Sequence, residues 1–123
     1  MTHDMLTVMG GIRTELLKDG VTVLVSGTKT TATYPCLIIF QRGGTGSRSL
    51  SPWTDADIQV SVFGRSRAET YQLSQNVMKR LNKKRFAAYG IDWMRCTGSV
   101  DLPVQDEIYQ RVLFFRTILK EEV

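Results

Sequence analysis

The sequence has very few of the residues that most often carry catalytic chemistry. Its 123 residues include one histidine, His3, and two cysteines, Cys36 and Cys96. A Ser-His-Asp or Cys-His site needs a histidine held beside the nucleophile, and His3 lies near the start of the chain. The carboxylates fall at predicted turns and strand ends, where solvated charges are expected. We therefore predict that the protein is not an enzyme and has no catalytic, metal-binding or cofactor-binding residues.

The two cysteines lie 60 residues apart, each in an apolar run that is typical of a β-strand. We interpret Cys36 and Cys96 as buried free thiols of a reducing compartment. A disulfide between them is the alternative that the sequence leaves open.

Long hydrophobic runs are missing as well. No apolar stretch approaches the roughly 20 residues that cross a bilayer. The first four residues lack the basic start and apolar core of a signal peptide. A hydrophobic share of 42% and a charged share of 23% are those of a soluble globular chain. We predict one domain over residues 1–123, made and kept in a cytoplasm, without membrane contact.

A strand followed by a capped helix is the strongest pattern in the chain. Ile58, Val60 and Val62 alternate with polar residues, which predicts a strand with one face on a core. Ser66 and Glu69 then have the spacing of a capping box, in which Glu69 reaches back to the amide of Ser66. A helical period over residues 66–81 follows. This unit contains no nucleophile, metal cluster or phosphate loop, so it is typical of an assembly module.

The remaining periodicity completes an α+β fold. It predicts two helices packed on one face of a mainly antiparallel sheet, in the order α-β-β-β-α-β-β. Gly10 and Gly11 weaken the first helix, which indicates either close packing there or a marginal helix. The other predicted elements are a helix over 5–18, strands over 21–25, 36–40, 91–97 and 107–119, and a connection over 98–105.

Residues 41–54 are predicted to form a long loop between strands 2 and 3. Their Gly43-Gly44-Thr45-Gly46 run resembles a phosphate-binding loop only weakly, because no helix and no Gly-Lys-Ser/Thr ending follows it. A disordered surface loop is one interpretation. The other is an arm that becomes ordered against a partner.

The net charge of +4 permits contact with nucleic acid without arguing for it. A basic cluster is predicted at the end of the second helix, where positive side chains complement the helix dipole. A partner surface is the alternative role for this cluster. Its members are Lys79, Arg80, Lys83, Lys84 and Arg85.

Taken in order, these segments resemble the tail terminator, or tail completion, proteins of long-tailed bacteriophages and related particles. The resemblance spans nearly the whole chain as a pattern of elements. It rests on the helix ending Leu16-Leu17, the run Tyr34-Pro35-Cys36-Leu37-Ile38-Ile39-Phe40, the Gly/Ser loop, the strand over 57–63, the helix over 66–81 and the strand around 111–116.

The resemblance implies a virion structural protein of the tail or neck without catalysis. Such proteins form a hexameric ring that caps the tail tube, stops its polymerisation and meets the head connector or stopper, with DNA passing through the lumen. For this chain it implies that Arg42, Gly43, Gly44, Arg48 and Trp53 belong to an interface loop.

A ring of identical subunits needs two different patches on each subunit. We predict that a basic patch of one subunit contacts an acidic patch of the next. The basic residues are Lys83, Lys84 and Arg85, and the acidic residues are Asp101, Asp106 and Glu107. The competing hypotheses are a small basic nucleic-acid-binding module, which would bind with a steep salt dependence, and a small enzyme.

Overall fold

The computed structural model describes residues 5–25, 33–46 and 53–119. They form two α-helices, one short 3₁₀ helix and six strands. In chain order these are α1 (Met5–Leu17), β1 (Thr22–Val25), β2 (Cys36–Gly46), β3 (Trp53–Gly64), α2 (Arg67–Leu81), β4 (Lys84–Phe86), the 3₁₀ helix (Ala87–Tyr89), β5 (Ile91–Gln105) and β6 (Ile108–Leu119).

The strands form one sheet in the order β1-β2-β3-β6-β5-β4. The α+β class is confirmed, but the predicted mainly antiparallel sheet is corrected to a mixed one. β1 pairs with β2 in parallel, whereas the other neighbouring strands pair in antiparallel fashion. Residues of the β-rich segments 22–25 and 36–40 favour a strand in either direction, so the sequence does not reveal this direction.

The predicted order is also corrected in detail. The chain adds the short strand β4 and the 3₁₀ helix between α2 and β5. The predicted connection over residues 98–105 is wrong, because β5 continues to Gln105 and pairs with β6. Its turn follows at Asp106 and Glu107, which have φ angles of 50° and 63°. The exposed strand contains Gly98 and Pro103, two residues that disfavour strand predictions.

The predicted loop over residues 41–54 is shorter than expected. β2 extends to Gly46 and β3 begins at Trp53, and their backbones pair as a continuation of the sheet. The pairing contains a bulge between Gln41 and Gly43. Residues 47–52 lie outside the described part of the chain. A glycine-rich, polar segment therefore forms strand where the sequence predicted a loop, because backbone pairing needs no apolar side chain.

The core lies between both helices and one face of the sheet. α1 buries Val8, Met9, Ile12 and Leu16. The same cluster contains residues of α2 and of the inner strands: Val77, Leu81, Leu37, Ile39, Ile58, Val60, Leu113 and Phe115. Full burial of one such side chain contributes about 1.5–3 kcal/mol. This single layer of contacts fixes the helices on one face of the sheet.

The cap of α2 confirms half of the predicted capping box. The hydroxyl of Ser66 accepts a hydrogen bond from the backbone N–H of Glu69 at 3.1 Å. The Glu69 carboxylate, however, accepts from the backbone N–H of Arg65 at 2.9 Å, where the amide of Ser66 was predicted. The side chain thus reaches one residue further back, and the helix begins at the predicted point.

The two glycines of α1 have different surroundings. A Cβ at Gly11 would overlap the ring of Tyr89, whereas a Cβ at Gly10 meets nothing within 4 Å. Tyr89 in turn packs near Phe86, with ring centroids 6.1 Å apart. Of the two alternatives left by the sequence, close packing applies at Gly11.

We expect opposite effects from alanine at these neighbouring positions. Gly11→Ala should destabilise the protein by about 1–3 kcal/mol, because the ring of Tyr89 must move. Gly10→Ala should stabilise it by roughly 0.5–1 kcal/mol through helix propensity alone. Urea denaturation of both variants measures this difference. Equal effects would contradict the close packing.

An ion pair joins the end of α1 to α2. Asp19 accepts two hydrogen bonds from the Arg80 guanidinium, at 3.1 and 2.9 Å. These bonds hold the pKa of Asp19 below its usual value. A carboxyl group whose pKa is lowered by folding stabilises the folded state at pH values above its pKa in the unfolded chain. This stabilisation is lost as the pH falls through the pKa of the folded state.

Asp19→Asn should therefore lower the free energy of unfolding at pH 7. It should also make the decrease in this free energy below about pH 4 smaller than in the unsubstituted chain. Urea unfolding between pH 2 and pH 7 checks this expectation. Asp92→Asn is the matched control, because Asp92 is an exposed carboxylate on β5. The same pH profile for Asp19→Asn as for the unsubstituted chain would refute the contribution of the pair.

Candidate assembly surfaces

The predicted basic and acidic residues lie on different parts of the fold. α2 ends at Leu81, so the helix dipole accounts only for Lys79 and Arg80 in its last turn. Lys83 follows the helix with a φ angle of 58°, and Lys84 and Arg85 belong to β4. All three of these later residues are exposed. The prediction that they lie at the helix end is thereby corrected to a basic patch on β4.

The acidic residues separate into two groups. Asp101 pairs with Arg111 at 2.9 Å and accepts a hydrogen bond from the Tyr71 hydroxyl at 3.1 Å. Asp106 and Glu107 form the exposed β5–β6 turn. Asp101 therefore contributes to the internal structure of the hairpin, whereas the turn presents its two carboxylates at the surface.

The basic and acidic patches lie toward opposite ends of β5. Lys84 pairs with Met94, near the beginning of this strand, and Asp106 follows its last residue. At about 3.3 Å per residue, and allowing for bulges, the separation along the strand is roughly 35 Å. One subunit thus carries opposite charges on separate surfaces. The predicted contact between these surfaces in neighbouring subunits remains a prediction.

The residues of the predicted interface loop are placed only in part. The backbones of Arg42, Gly43 and Gly44 lie in β2, and that of Trp53 lies in β3. Arg48 lies outside the described residues. The structure places the described members on the paired ends of β2 and β3, and their role at an interface remains a prediction.

A groove of about 580 Å³ lies between α2 and the β5–β6 hairpin. At one wall, the Arg111 guanidinium stacks on the ring of Tyr71 at 5.0 Å and donates to Ser99 at 3.0 Å. The nine lining residues are Tyr71, Ser74, Gln75, Met78, Lys79, Cys96, Ser99, Arg111 and Leu113.

The second half of β5 exposes an apolar row that the sequence analysis missed. Val100, Leu102 and Val104 are 44%, 40% and 44% exposed. They alternate with Asp101 and Pro103, a period-two signal that could have identified a strand. Exposed apolar residues in a row mark contact surfaces more often than scattered ones do.

Within the described ranges, no group of three or more His, Cys, Asp or Glu side chains could hold a metal ion. The helices of those ranges are also too short or too polar to cross a membrane.

The fold is similar to that of a chain in a solved phage-like particle. This structure is titled "Virion of native gene transfer agent (GTA) particle", and the match has a TM-score of 0.60 at 13% sequence identity. It covers 91% of this chain and 90% of the other. No model of a known protein family matches the chain, and no curated protein matches it. At this identity the similarity shows a shared fold.

The two cysteines differ in their environment. Cys36 is fully buried, and burial raises the pKa of its thiol. Cys96 is half-buried and lines the groove, which corrects the prediction that both thiols are buried. Both are free, so the alternative of a disulfide is wrong.

Native protein treated with N-ethylmaleimide should therefore incorporate one label at Cys96, and Cys36 should react only after unfolding. Peptide mass spectrometry identifies the labelled site, and Cys96→Ser should abolish native labelling. Rapid native labelling of Cys36 would contradict its burial.

Proposed function

We propose that this protein is a virion structural protein that forms a ring at the end of a phage-like tail tube. In this role it terminates tube polymerisation and joins the tube to the head connector or stopper, with DNA passing through the lumen. The role involves no catalysis and no cofactor. It belongs to the tail or neck of a particle assembled in the host cytoplasm.

The observation that carries the proposal is the full-length similarity in fold to a chain of the gene transfer agent virion. The alignment leaves about a tenth of either chain unmatched, so nearly the whole domain shares the fold. The sequence resemblance to tail terminators narrows this coarser assignment to the ring at the tube end. A hexamer is the ring size that the resemblance implies.

The distribution of charge also supports a ring. Head-to-tail rings use two different surfaces of each subunit. The β4 patch carries Lys83, Lys84 and Arg85, and the β5–β6 turn carries Asp106 and Glu107, with roughly 35 Å of strand between them. Opposite charges on separate surfaces favour the contact of one copy with the next and disfavour self-contact of like patches.

A small nucleic-acid-binding module is the second candidate. The exposed basic residues of β4 favour it, and Arg85 stacks on Trp93 at 5.8 Å. This candidate predicts binding that weakens steeply as salt rises. The separate acidic β5–β6 turn and the mild net charge of +4 favour protein assembly over this alternative.

The test is the molar mass of the purified protein by light scattering, with and without purified tail tubes, followed by negative-stain imaging. We expect a ring of about six subunits, or added density at one end of each tube. Lys84→Glu with Arg85→Glu should weaken assembly at least tenfold, because like charges then meet at the contact. Lys83 stays unchanged because of its left-handed backbone.

Lys18→Glu is the charge control, since Lys18 directly follows α1, away from both charged patches, and pairs with Glu15. Circular dichroism establishes that the variants fold. If the protein stays monomeric, does not bind tubes and binds DNA in a salt-sensitive way, the nucleic-acid-binding function replaces the ring as the proposed function. Unchanged assembly of the β4 variant would refute the charged contact while leaving the ring itself intact.

A further inference from the structure

The outer edge of β5 is open over its second half. β4 pairs with β5 only through Lys84↔Met94 and Phe86↔Ile91. Just beyond them, the Asn82 side chain accepts the backbone N–H of Cys96 at 2.8 Å. In the described part of the chain, no strand pairs with residues 97–105 on the side away from β6. An open edge presents backbone N–H and C=O groups that can pair with another strand.

The opposite edge of the sheet has a matching opening. β1 pairs with β2 only from Cys36 to Ile39. Beyond this point, residues 40–46 of β2 pair with β3 alone among the described strands. This segment contains Gly43, Gly44 and Gly46. Glycine within a strand is typical of places where another backbone approaches closely.

The two openings lie diagonally across the sheet. β2 and β5 run in opposite directions, because β3 and β6 lie between them with antiparallel pairing at each step. Each opening occupies the second half of its strand. Because the two strands run in opposite directions, the openings lie at opposite ends of the sheet and on its opposite edges. An antiparallel pairing between them continues the sheet from one copy to the next. The diagonal offset supplies the stagger that a closed ring of tilted strands needs.

The lengths of the two open segments agree with this pairing. Residues 41–46 supply six strand positions. Residues 98–102 supply five before Pro103, which has no N–H and therefore limits the ladder. A second copy of this chain thus offers an open backbone of matching length.

We infer that residues 41–46 of one copy add as an antiparallel strand to residues 98–102 of β5 in the next copy. The inference rests on the proposed ring and names the backbone contact that joins its subunits. The added strand lies beside Ser99, at the mouth of the groove between α2 and β5. It also extends the surface formed by Val100 and Leu102.

Cross-linking between two variants, each with one introduced cysteine, tests this contact. Each variant carries Cys96→Ser, and Cys36 stays buried in both. Thr45→Cys is mixed with Ser99→Cys, and Gly44→Cys with Val100→Cys, so that both faces of the strands are sampled. A short bis-maleimide tolerates a register difference of one or two residues. The matched control is Asp92→Cys, an exposed position on the covered half of β5.

We expect Thr45→Cys and Gly44→Cys on β2 each to form at least ten times more cross-linked dimer with its β5 partner variant than with Asp92→Cys. Reducing gel electrophoresis measures the yield, and peptide mass spectrometry identifies the linked residues. Light scattering and imaging of the same samples report the ring. A ring without selective cross-links would overturn the strand pairing and leave the proposed function standing. No assembly, alone or on tubes, would overturn both.

Discussion

The pairing of β3 with β6 is the contact on which the rest of the structure depends. It runs from Asp55↔Ile118 to Gly64↔Tyr109 in the centre of the sheet. These strands are distant in sequence, so forming the ladder closes a long loop at a considerable cost in chain entropy. The ladder also aligns Ile58 with Phe115 and Val60 with Leu113 on the helix side. Their burial offsets that cost and forms the floor on which both helices pack.

The helices depend on this floor in different ways. α2 follows β3 after two residues, and the Ser66 cap fixes where it begins. α1 is attached through the core residues Ile12 and Leu16, through the Asp19–Arg80 pair, and through the close approach of Gly11 to Tyr89. A glycine that weakens an isolated helix thus strengthens the packed one, because only glycine leaves room for the aromatic ring.

Among the residues that the structure describes, the same sheet that closes the core leaves two edges open. Because β1 and β4 are short, each covers only part of the neighbouring strand, and the uncovered halves lie diagonally opposite. An isolated protein with such edges risks uncontrolled association, and natural proteins usually cover or charge them. A ring satisfies the edges within a closed assembly. In the proposed role, the short strands β1 and β4 are therefore important for assembly, because they leave parts of β2 and β5 open to a neighbouring copy.

The sequence by itself determined the class of fold, both helices, the core-facing row of Ile58, Val60 and Val62, and the strand–turn–helix unit around Ser66. These features follow from local periodicity and capping, which depend on residues close together in the chain. The tertiary structure alone decided the parallel β1–β2 pair, the strand through the glycines of 43–46, and the separation of Asp101 from Asp106. Strand direction and backbone pairing depend on partners far away in sequence, and neither leaves a pattern in the side chains that a single strand carries.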